Sequence, residues 1–95
     1  MTSPASRASA GALEAVERIL NRGGEPDAVR RLVAETLSDR TGTRIGIARE
    51  APPEAAQAHD VVWEGRRVAA LWAEQVADEA LLARVAVIVA PYCRE

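Results

Sequence analysis

The sequence predicts an α+β fold, in which a small antiparallel sheet of about three strands carries helices packed on one face. Three observations lead to this prediction. Apolar residues recur at helical spacing across residues 11–42, strand and hairpin signals follow between residues 43 and 72, and a further helical stripe begins after Asp78. The predicted order is α-α-β-β-β-α. At 95 residues, the chain has the length of one small domain with one core.

Two helices are predicted in the first half of the chain. Residues 1–10 are small and polar, and we expect them to form a disordered tail. The first helix is predicted at residues 11–22, because Gly23 can adopt the positive φ that ends a helix. The second begins at Pro26, which suits the first turn of a helix, and it ends near Gly42. The short connection between the two helices favours an antiparallel pair.

A strand and a loop are predicted in the middle of the chain. Residues 43–49 alternate, with Ile45 and Ile47 on one side, and this pattern is typical of a strand. Residues 50–58 contain a pair of prolines and, apart from Ala, no apolar residue. This composition predicts a loop or a short helical turn.

A β-hairpin is predicted at residues 59–72, because β-branched and aromatic residues flank Glu64 and Gly65. With these two residues as the loop, Trp63 lies opposite Arg66, and strict alternation divides the hairpin into two faces. One face is expected to present Val61, Trp63, Val68, Ala70 and Trp72, and the other Asp60, Val62, Arg67, Ala69 and Leu71. Neither set is plainly polar, so we expect both faces to be at least partly covered.

The last predicted element is a third helix. Asp78 is a good N-cap, and Glu79 suits the first turn because it complements the helix dipole. The apolar stripe that follows consists of Leu81, Val85, Ile88 and Tyr92. Pro91 marks the end of this helix.

Charge and composition exclude several classes of function. The 12 basic residues, all arginine, are set against 14 acidic residues, for a net charge of −2. No basic stripe is present, so we expect no nucleic-acid partner. No segment reaches the roughly 20 apolar residues that span a bilayer, and the N-terminus lacks the apolar core of a signal peptide. Together with a lone cysteine, these features predict a cytoplasmic protein without a membrane partner.

Three parts of the chain form a family pattern. The first part is two helices followed by a strand, with the sequences LEAVERIL, PDAVRRLVAETLSDRTG and TRIGIA. The second part is a strand–turn–strand, VVWEGRRVAAL. The third part is a closing helix that opens with an acid, DEALLARVAVIVA. In this pattern the chain resembles the GAF family of small sensory domains, which are relatives of PAS domains. The resemblance covers about residues 11–93. It implies one GAF-like domain at residues 11–95, a shortened GAF/PAS-like architecture, and a role in signal transduction through ligand binding.

The departures from the family bear on the ligand. The first strand and the hairpin are separated by a short connection, where GAF domains carry the further strands and helices that wall their pocket. A chain without Lys or Phe cannot contain the Asn-Lys…Phe…Asp-Glu motif of members that bind cyclic nucleotides. Bilin-binding members use a pocket cysteine, whereas Cys93 lies beyond the last helical stripe. Members that reduce methionine sulfoxide need several cysteines. We therefore expect no cofactor.

Four residues are candidates for binding a small ligand or a partner: Trp63, Trp72, Arg44 and Arg66. Two interpretations of them stay open. In one, the tryptophans supply the main bulk of an Ala-rich core. In the other, they lie with Arg44 or Arg66 along an open face of the sheet that binds a flat ligand or a partner.

Signals for catalysis or metal binding are weak in this sequence. His59 is the single histidine, and its near neighbours offer only Asp60 as a further ligand, so no metal site is predicted. Cys93 adjoins Arg94 but follows the end of a helix, which disfavours a thiolate, and we expect it to be inert. No catalytic residues are predicted, and we expect no enzymatic activity.

Two hypotheses of function follow. In the first, the chain is a non-catalytic sensory or regulatory module of GAF type that binds a small molecule or a partner protein. In the second, it is a ligand-free structural or interaction protein that forms a homodimer through its terminal helices, because GAF-like domains commonly pair in this way.

Overall fold

The computed structural model describes residues 4–93 and confirms the predicted α+β class. Helices and strands follow one another in the predicted order, α-α-β-β-β-α, with three strands in one antiparallel sheet. The elements are α1 (Pro4–Arg22), α2 (Pro26–Thr41), β1 (Ile45–Ala48), β2 (Gln57–Trp63), β3 (Arg66–Ala73), α3 (Glu79–Val89) and a short 3-10 helix (Ala90–Tyr92).

The ends of α2 and α3 follow from local chemistry. α2 has Pro26 in its first turn, and Gly42 after its last turn has a φ of 76°, which lets the Gly42 N–H donate to the Ser38 carbonyl at 3.0 Å. α3 is capped by Asp78, whose carboxylate accepts a hydrogen bond from the Leu81 N–H at 3.2 Å. Both caps lie where the sequence predicts them.

α1 begins earlier than predicted. It starts at Pro4, whereas the periodicity of apolar residues places the start near residue 11. Residues 4–10 of the expected disordered tail are therefore helical, and residues 1–3 lie outside the described part of the chain. The physical reason is local: Pro suits the first turn of a helix, and Ala and Arg have high helix propensity even without an apolar stripe.

The central strand of the sheet is β3, with β1 on one side and β2 on the other. Ile47 of β1 and His59 of β2 are both register partners of Leu71. Because both pairs are antiparallel, β1 and β2 run parallel to each other. The connection at residues 49–56 must therefore cross from one edge of the sheet to the other.

A β-bulge at Val68 interrupts the hairpin. Val61 pairs with Ala69, but the next residue, Val62, pairs with Arg67, so Val68 is an extra residue on β3. A bulge of this kind shifts the alternation of side chains by one position on the bulged strand. The two halves of β3 therefore present their side chains in opposite phase.

The bulge overturns the predicted faces of the hairpin. Val61 and Leu71, predicted on opposite faces, belong to the same buried cluster, and Trp63 packs against it. Ala70 and Trp72, predicted to share a face with Trp63, lie on the other side of the sheet because they alternate with Leu71. The prediction is wrong because it assumes strict alternation along β3, whereas the extra residue Val68 reverses the alternation.

The main core lies between the helices and one face of the sheet. Its largest fully buried side chains are Val16, Val33, Leu37, Val61, Leu71, Leu82, Val85 and Val89. α2 lies against β1, α3 lies against β2, and α1 packs on both helices. Helices on one face of the sheet were predicted, and this arrangement is confirmed.

The second face of the sheet is partly covered by the connection at residues 49–56. The Arg67 Nη2 donates to the Arg49 carbonyl at 2.9 Å, which ties the start of the connection to β3. The Ala56 N–H donates to the Ala73 carbonyl at 2.9 Å, which ties its end to the same strand. On this face Trp72 is 8% exposed, whereas Val62 is 49% exposed.

Candidate functional site

An open cleft lies at the turn end of the β2–β3 hairpin. It has a volume of about 840 Å³. Its lining consists of Arg49, Glu50, Trp63, Glu64, Arg66, Arg67, Val68 and Cys93. Segments that are distant in sequence therefore meet here: the end of β1, the hairpin turn and the end of the chain. Such convergence of polar and aromatic groups on a concave surface is typical of ligand sites.

The hairpin turn positions the aromatic and basic groups of this cleft. Glu64 and Gly65 have φ values of 53° and 77°, and positive φ at both central residues is the signature of a type I′ turn. The turn makes Trp63 and Arg66 the last register pair of the hairpin, as the sequence predicts. Two residues later, the bulge at Val68 brings another apolar side chain into the lining.

Arg67 has a structural role at the edge of this cleft. Its Nε donates to the Asp60 carboxylate at 3.0 Å, and its Nη2 donates to the Arg49 carbonyl at 2.9 Å. The guanidinium therefore joins β2, β3 and the connection after β1. This placement holds the backbone of Arg49 next to the hairpin and fixes one wall of the cleft.

Arg66 supplies a cation that is not neutralised by a neighbouring carboxylate. Its side chain is exposed, and among residues 4–93 no ion pair or hydrogen bond is formed by its guanidinium. Three arginines and two glutamates line the cleft, so the lining carries a formal charge of +1. The charge of Arg67 is offset by Asp60, so the exposed guanidinium of Arg66 is the cation that the cleft offers to a ligand. This electrostatic environment favours an anion.

Cys93 forms the inner wall of the cleft. It is a free cysteine, 7% exposed, and it belongs to the buried apolar cluster. Burial raises the pKa of the thiol, and the positive charge of Arg30 opposes this rise without cancelling it. The thiol is therefore protonated at neutral pH.

The 3-10 helix before Cys93 is hydrogen-bonded to α1 and α2 through Tyr92. The Tyr92 hydroxyl donates to the Leu20 carbonyl of α1 at 3.0 Å, and the Arg30 guanidinium of α2 donates to the Tyr92 carbonyl. Arg30 is in turn paired with Asp27. These bonds hold the 3-10 turn in place, and with it the position of the thiol at the cleft.

The other predicted pair, Trp72 and Arg44, lies apart from the cleft. The Arg44 guanidinium carbon stands 5.5 Å from the centre of the Trp72 ring, within the range of a cation–π contact. Gly46 is the register partner of Trp72, and a Cβ built on it would lie 2.6 Å from the indole Cε2 and Cζ2. The indole is therefore laid flat against the backbone of β1 and covered by Arg44.

The structure thus divides the four predicted residues into two separate pairs. Trp63 and Arg66 meet in the cleft, and Trp72 and Arg44 meet on the second face of the sheet. The remaining lining residues were not predicted as site residues: Arg49, Glu50, Glu64, Arg67, Val68 and Cys93. Of these, Glu64 and Arg67 are sequence neighbours of the predicted pair, and this proximity could have identified them as site residues. Arg49 and Cys93 approach the pair only through the tertiary fold.

His59 is hydrogen-bonded to Gln57, which in turn is hydrogen-bonded to the segment after β3. The Gln57 Oε1 accepts from the Ala77 N–H at 2.8 Å, which directs the Gln57 Nε2 toward the His59 Nε2 at 3.1 Å. The imidazole nitrogen is thereby the acceptor of this bond. His59 and Gln57 together fix the segment that follows β3 to the start of β2.

The described part of the chain contains neither a metal-binding cluster nor a membrane-spanning helix. Between residues 4 and 93, no cluster of three or more His, Cys, Asp or Glu side chains is arranged to hold a metal ion. None of the helices in this range combines the length and the apolar character required to cross a bilayer.

In comparisons with known proteins, no family model, no curated protein and no solved structure matches this chain.

Proposed function

We propose that this chain is a non-catalytic sensory or regulatory module, a short relative of GAF domains, that binds an anionic small molecule in the hairpin-end cleft. The observation that carries the proposal is the pairing of Trp63 with Arg66 inside a cleft of about 840 Å³. A cleft of this size accommodates a ligand of metabolite size. The GAF resemblance of the sequence supports the sensory role.

The residues of the cleft define the chemistry of the ligand. The unpaired guanidinium of Arg66 presents a planar set of donors that suits a carboxylate or a phosphate. Trp63 supplies an apolar and aromatic surface on the adjacent strand, and Val68 extends it. A ligand with a flat apolar part and one anionic group makes use of both features.

Binding without catalysis accords with the groups in the cleft. The nucleophilic side chain of the lining is Cys93, and its raised pKa keeps it as a thiol. Its carboxylates, Glu50 and Glu64, are both exposed to water. Acid–base catalysis is favoured in a water-poor site, whereas both carboxylates are in contact with water.

A fluorescence titration tests the proposal. In the Trp72→Phe variant, Trp63 is the remaining tryptophan and reports on the cleft directly. The probes are nucleoside monophosphates, aromatic carboxylates and sugar phosphates, each titrated separately. We expect a saturable change in emission for at least one class, because a ligand that contacts Arg66 lies against the indole.

A matched pair of variants provides the control. Arg66→Gln removes the charge in the cleft and is expected to weaken binding by about tenfold, the equivalent of one charged hydrogen bond. Arg31→Gln removes an exposed charge on α2, outside the cleft, and is expected to bind as the parent does. A flat response to every class of probe, or equal losses in the two variants, would contradict the proposal.

A second candidate function is the ligand-free homodimer joined through α1 and α3. The observation that favours it is Val87 on α3, whose side chain is 66% exposed. Burial of such a residue against a second copy would remove apolar surface from water. Sedimentation at low micromolar concentration distinguishes the candidates: a dimer that Val87→Arg dissociates supports this function, and a compact monomer rejects it.

A further inference from the structure

A groove runs between α1 and α2. It has a volume of about 370 Å³, and it is lined by Ala15, Arg18, Ile19, Arg22, Leu32, Thr36 and Arg40. The two helices are antiparallel, because Gly11 in the first half of α1 faces the guanidinium of Arg40 near the end of α2. Each helix contributes residues spaced three or four apart, so the groove follows the helix axes for roughly 10–12 Å, about two turns.

The floor of this groove is apolar and accessible. Leu32 is 44% exposed, although the next residue, Val33, is fully buried in the core. Ile19 lies in the same groove and is partly exposed. Leu32, Ile19 and Ala15 thus form one apolar patch in a concave surface, and such a patch with a polar rim is typical of an interaction site.

The rim of the groove is uniformly basic. Arg18, Arg22 and Arg40 all line it, and the lining contains no acidic residue. Within residues 4–93, none of these three guanidinium groups lies within 4.0 Å of a carboxylate. The spacing of Glu14 and Arg18 favours an ion pair along α1, but the pair is not formed. A lining of charge +3 thus stands on a chain of net charge −2.

We propose that this groove binds an acidic amphipathic helix of a partner protein. An apolar floor between two antiparallel helices matches the way in which amphipathic helices dock, with apolar anchors inserted into the groove. The three unpaired arginines on the rim then meet Glu or Asp side chains on the flanks of the incoming helix. The proposal concerns a surface separate from the hairpin-end cleft and does not depend on it.

The composition of the groove favours this occupant over two others. A nucleic acid would pair with the arginines but would leave Leu32 and Ile19 facing a phosphate backbone. In a second copy of this chain, the exposed Val87 of α3 stands beside Arg84, whose charge would repel the basic rim. The combination of apolar floor and basic rim is satisfied by a mixed acidic and apolar helix.

A designed peptide serves as the probe. It is a fluorescein-labelled helix of about 16 residues, long enough to form a helix on binding, with Leu along one face, Glu on both flanks and Ala elsewhere. A second peptide has Lys in place of each Glu. Binding is followed by fluorescence anisotropy to the full chain. We expect saturable binding of the Glu peptide that weakens as the ionic strength rises, and at least tenfold weaker binding of the Lys peptide, about the effect of a few rim charges.

Charge reversal makes the test specific to the groove. The double variant Arg18→Glu/Arg40→Glu is expected to bind the Glu peptide at least about tenfold more weakly and to gain affinity for the Lys peptide, which shows that it is folded. Arg84→Glu changes an exposed arginine of α3 and is expected to behave as the parent does.

Four results would overturn the proposal. They are the absence of binding of the Glu peptide, equal affinity of the parent chain for the two peptides, displacement of the Glu peptide by equimolar duplex DNA, and a homodimer in light scattering that Arg18→Glu/Arg40→Glu dissociates. Displacement by DNA would assign the groove to a nucleic acid, and the homodimer would assign it to a second copy of this chain.

Discussion

The two tryptophan–arginine pairs of this protein have the same composition and opposite environments. Trp72 and Arg44 form a closed stack, in which the indole is 8% exposed and lies against the backbone of β1 at Gly46. Trp63 and Arg66 form an open pair at the turn, beside a cleft of about 840 Å³. In the closed pair the arginine covers the ring, whereas in the open pair the guanidinium faces solvent.

The difference shows that position in the sheet, and not residue type, decides the role of each pair. The bulge at Val68 places Trp63 on the helix side and Trp72 on the opposite side. Gly46, opposite Trp72, leaves room for the ring to lie flat, while a type I′ turn places Trp63 at the end of the sheet. The closed pair is part of the packing of the sheet, and the open pair lies at the cleft where we propose that a ligand binds.

Truncation of the tryptophans is expected to have the largest effect and tests this comparison directly. Trp72→Ala should lower the free energy of unfolding by about 3–5 kcal/mol, because it removes a buried ring and leaves a cavity. Trp63→Ala should lower it by about 1–3 kcal/mol, because part of its ring is already in water. Urea denaturation followed by far-UV circular dichroism measures both. A larger loss for Trp63→Ala would reverse our assignment.

Iodide quenching provides an independent check on the same comparison. In Trp72→Phe the remaining Trp63 should be quenched readily, and in Trp63→Phe the remaining Trp72 should be protected. Equal quenching in the two variants would contradict the difference in exposure between the two rings.

A substitution at Gly46 tests the closed pair from the side of the backbone. Gly46→Ala places a Cβ 2.6 Å from the indole of Trp72, so the ring must move, and we expect a loss of about 1–3 kcal/mol in the free energy of unfolding. In a Trp72→Leu background the same change should cost much less, because the ring is gone. A double-mutant cycle by urea denaturation measures this coupling. Additive losses would show that Gly46 is not required by Trp72.

Replacement of Cys93 by alanine is expected to have the smallest effect, a change in how the free energy of unfolding depends on pH. Burial raises the pKa of Cys93 above its ordinary value of 9.0, so the folded chain holds this proton more tightly than the unfolded chain does. Stability from this group is fully present below the unfolded pKa and is lost as the pH rises through the folded pKa. Above about pH 9 the free energy of unfolding should therefore fall more steeply in the parent than in Cys93→Ala. Parallel pH profiles would show that the thiol is not desolvated.

Much of the fold follows from local patterns in the sequence. The caps at Asp78 and Gly42, the turn at Glu64-Gly65 and the strand at Ile45 each depend on residues within a few positions. The start of α1 at Pro4 was not predicted, because helix propensity without an apolar stripe gives no periodic signal. The bulge at Val68 was also not predicted, since the sequence on both sides of it alternates plausibly in either phase.

The candidate site could be predicted only where it is local. Trp63 and Arg66 are neighbours across a two-residue turn, so the hairpin signal alone brings them together. Arg49 and Cys93 reach the cleft through the order of the strands and the anchoring of the last turn by Tyr92, which no short-range pattern encodes. The closed stack of Arg44 on Trp72 depends on the register of β1 with β3, which is likewise a property of the tertiary fold.

The order β1-β3-β2 also has a consequence for the biosynthesis of the chain. During translation β1 leaves the ribosome before β2 and β3, but its hydrogen-bonding partner is β3. The hairpin can close as soon as residue 73 is available, whereas β1 has no strand to pair with until then. Between the synthesis of residue 48 and that of residue 73, α2 is the finished element that packs against β1 and can cover Ile45.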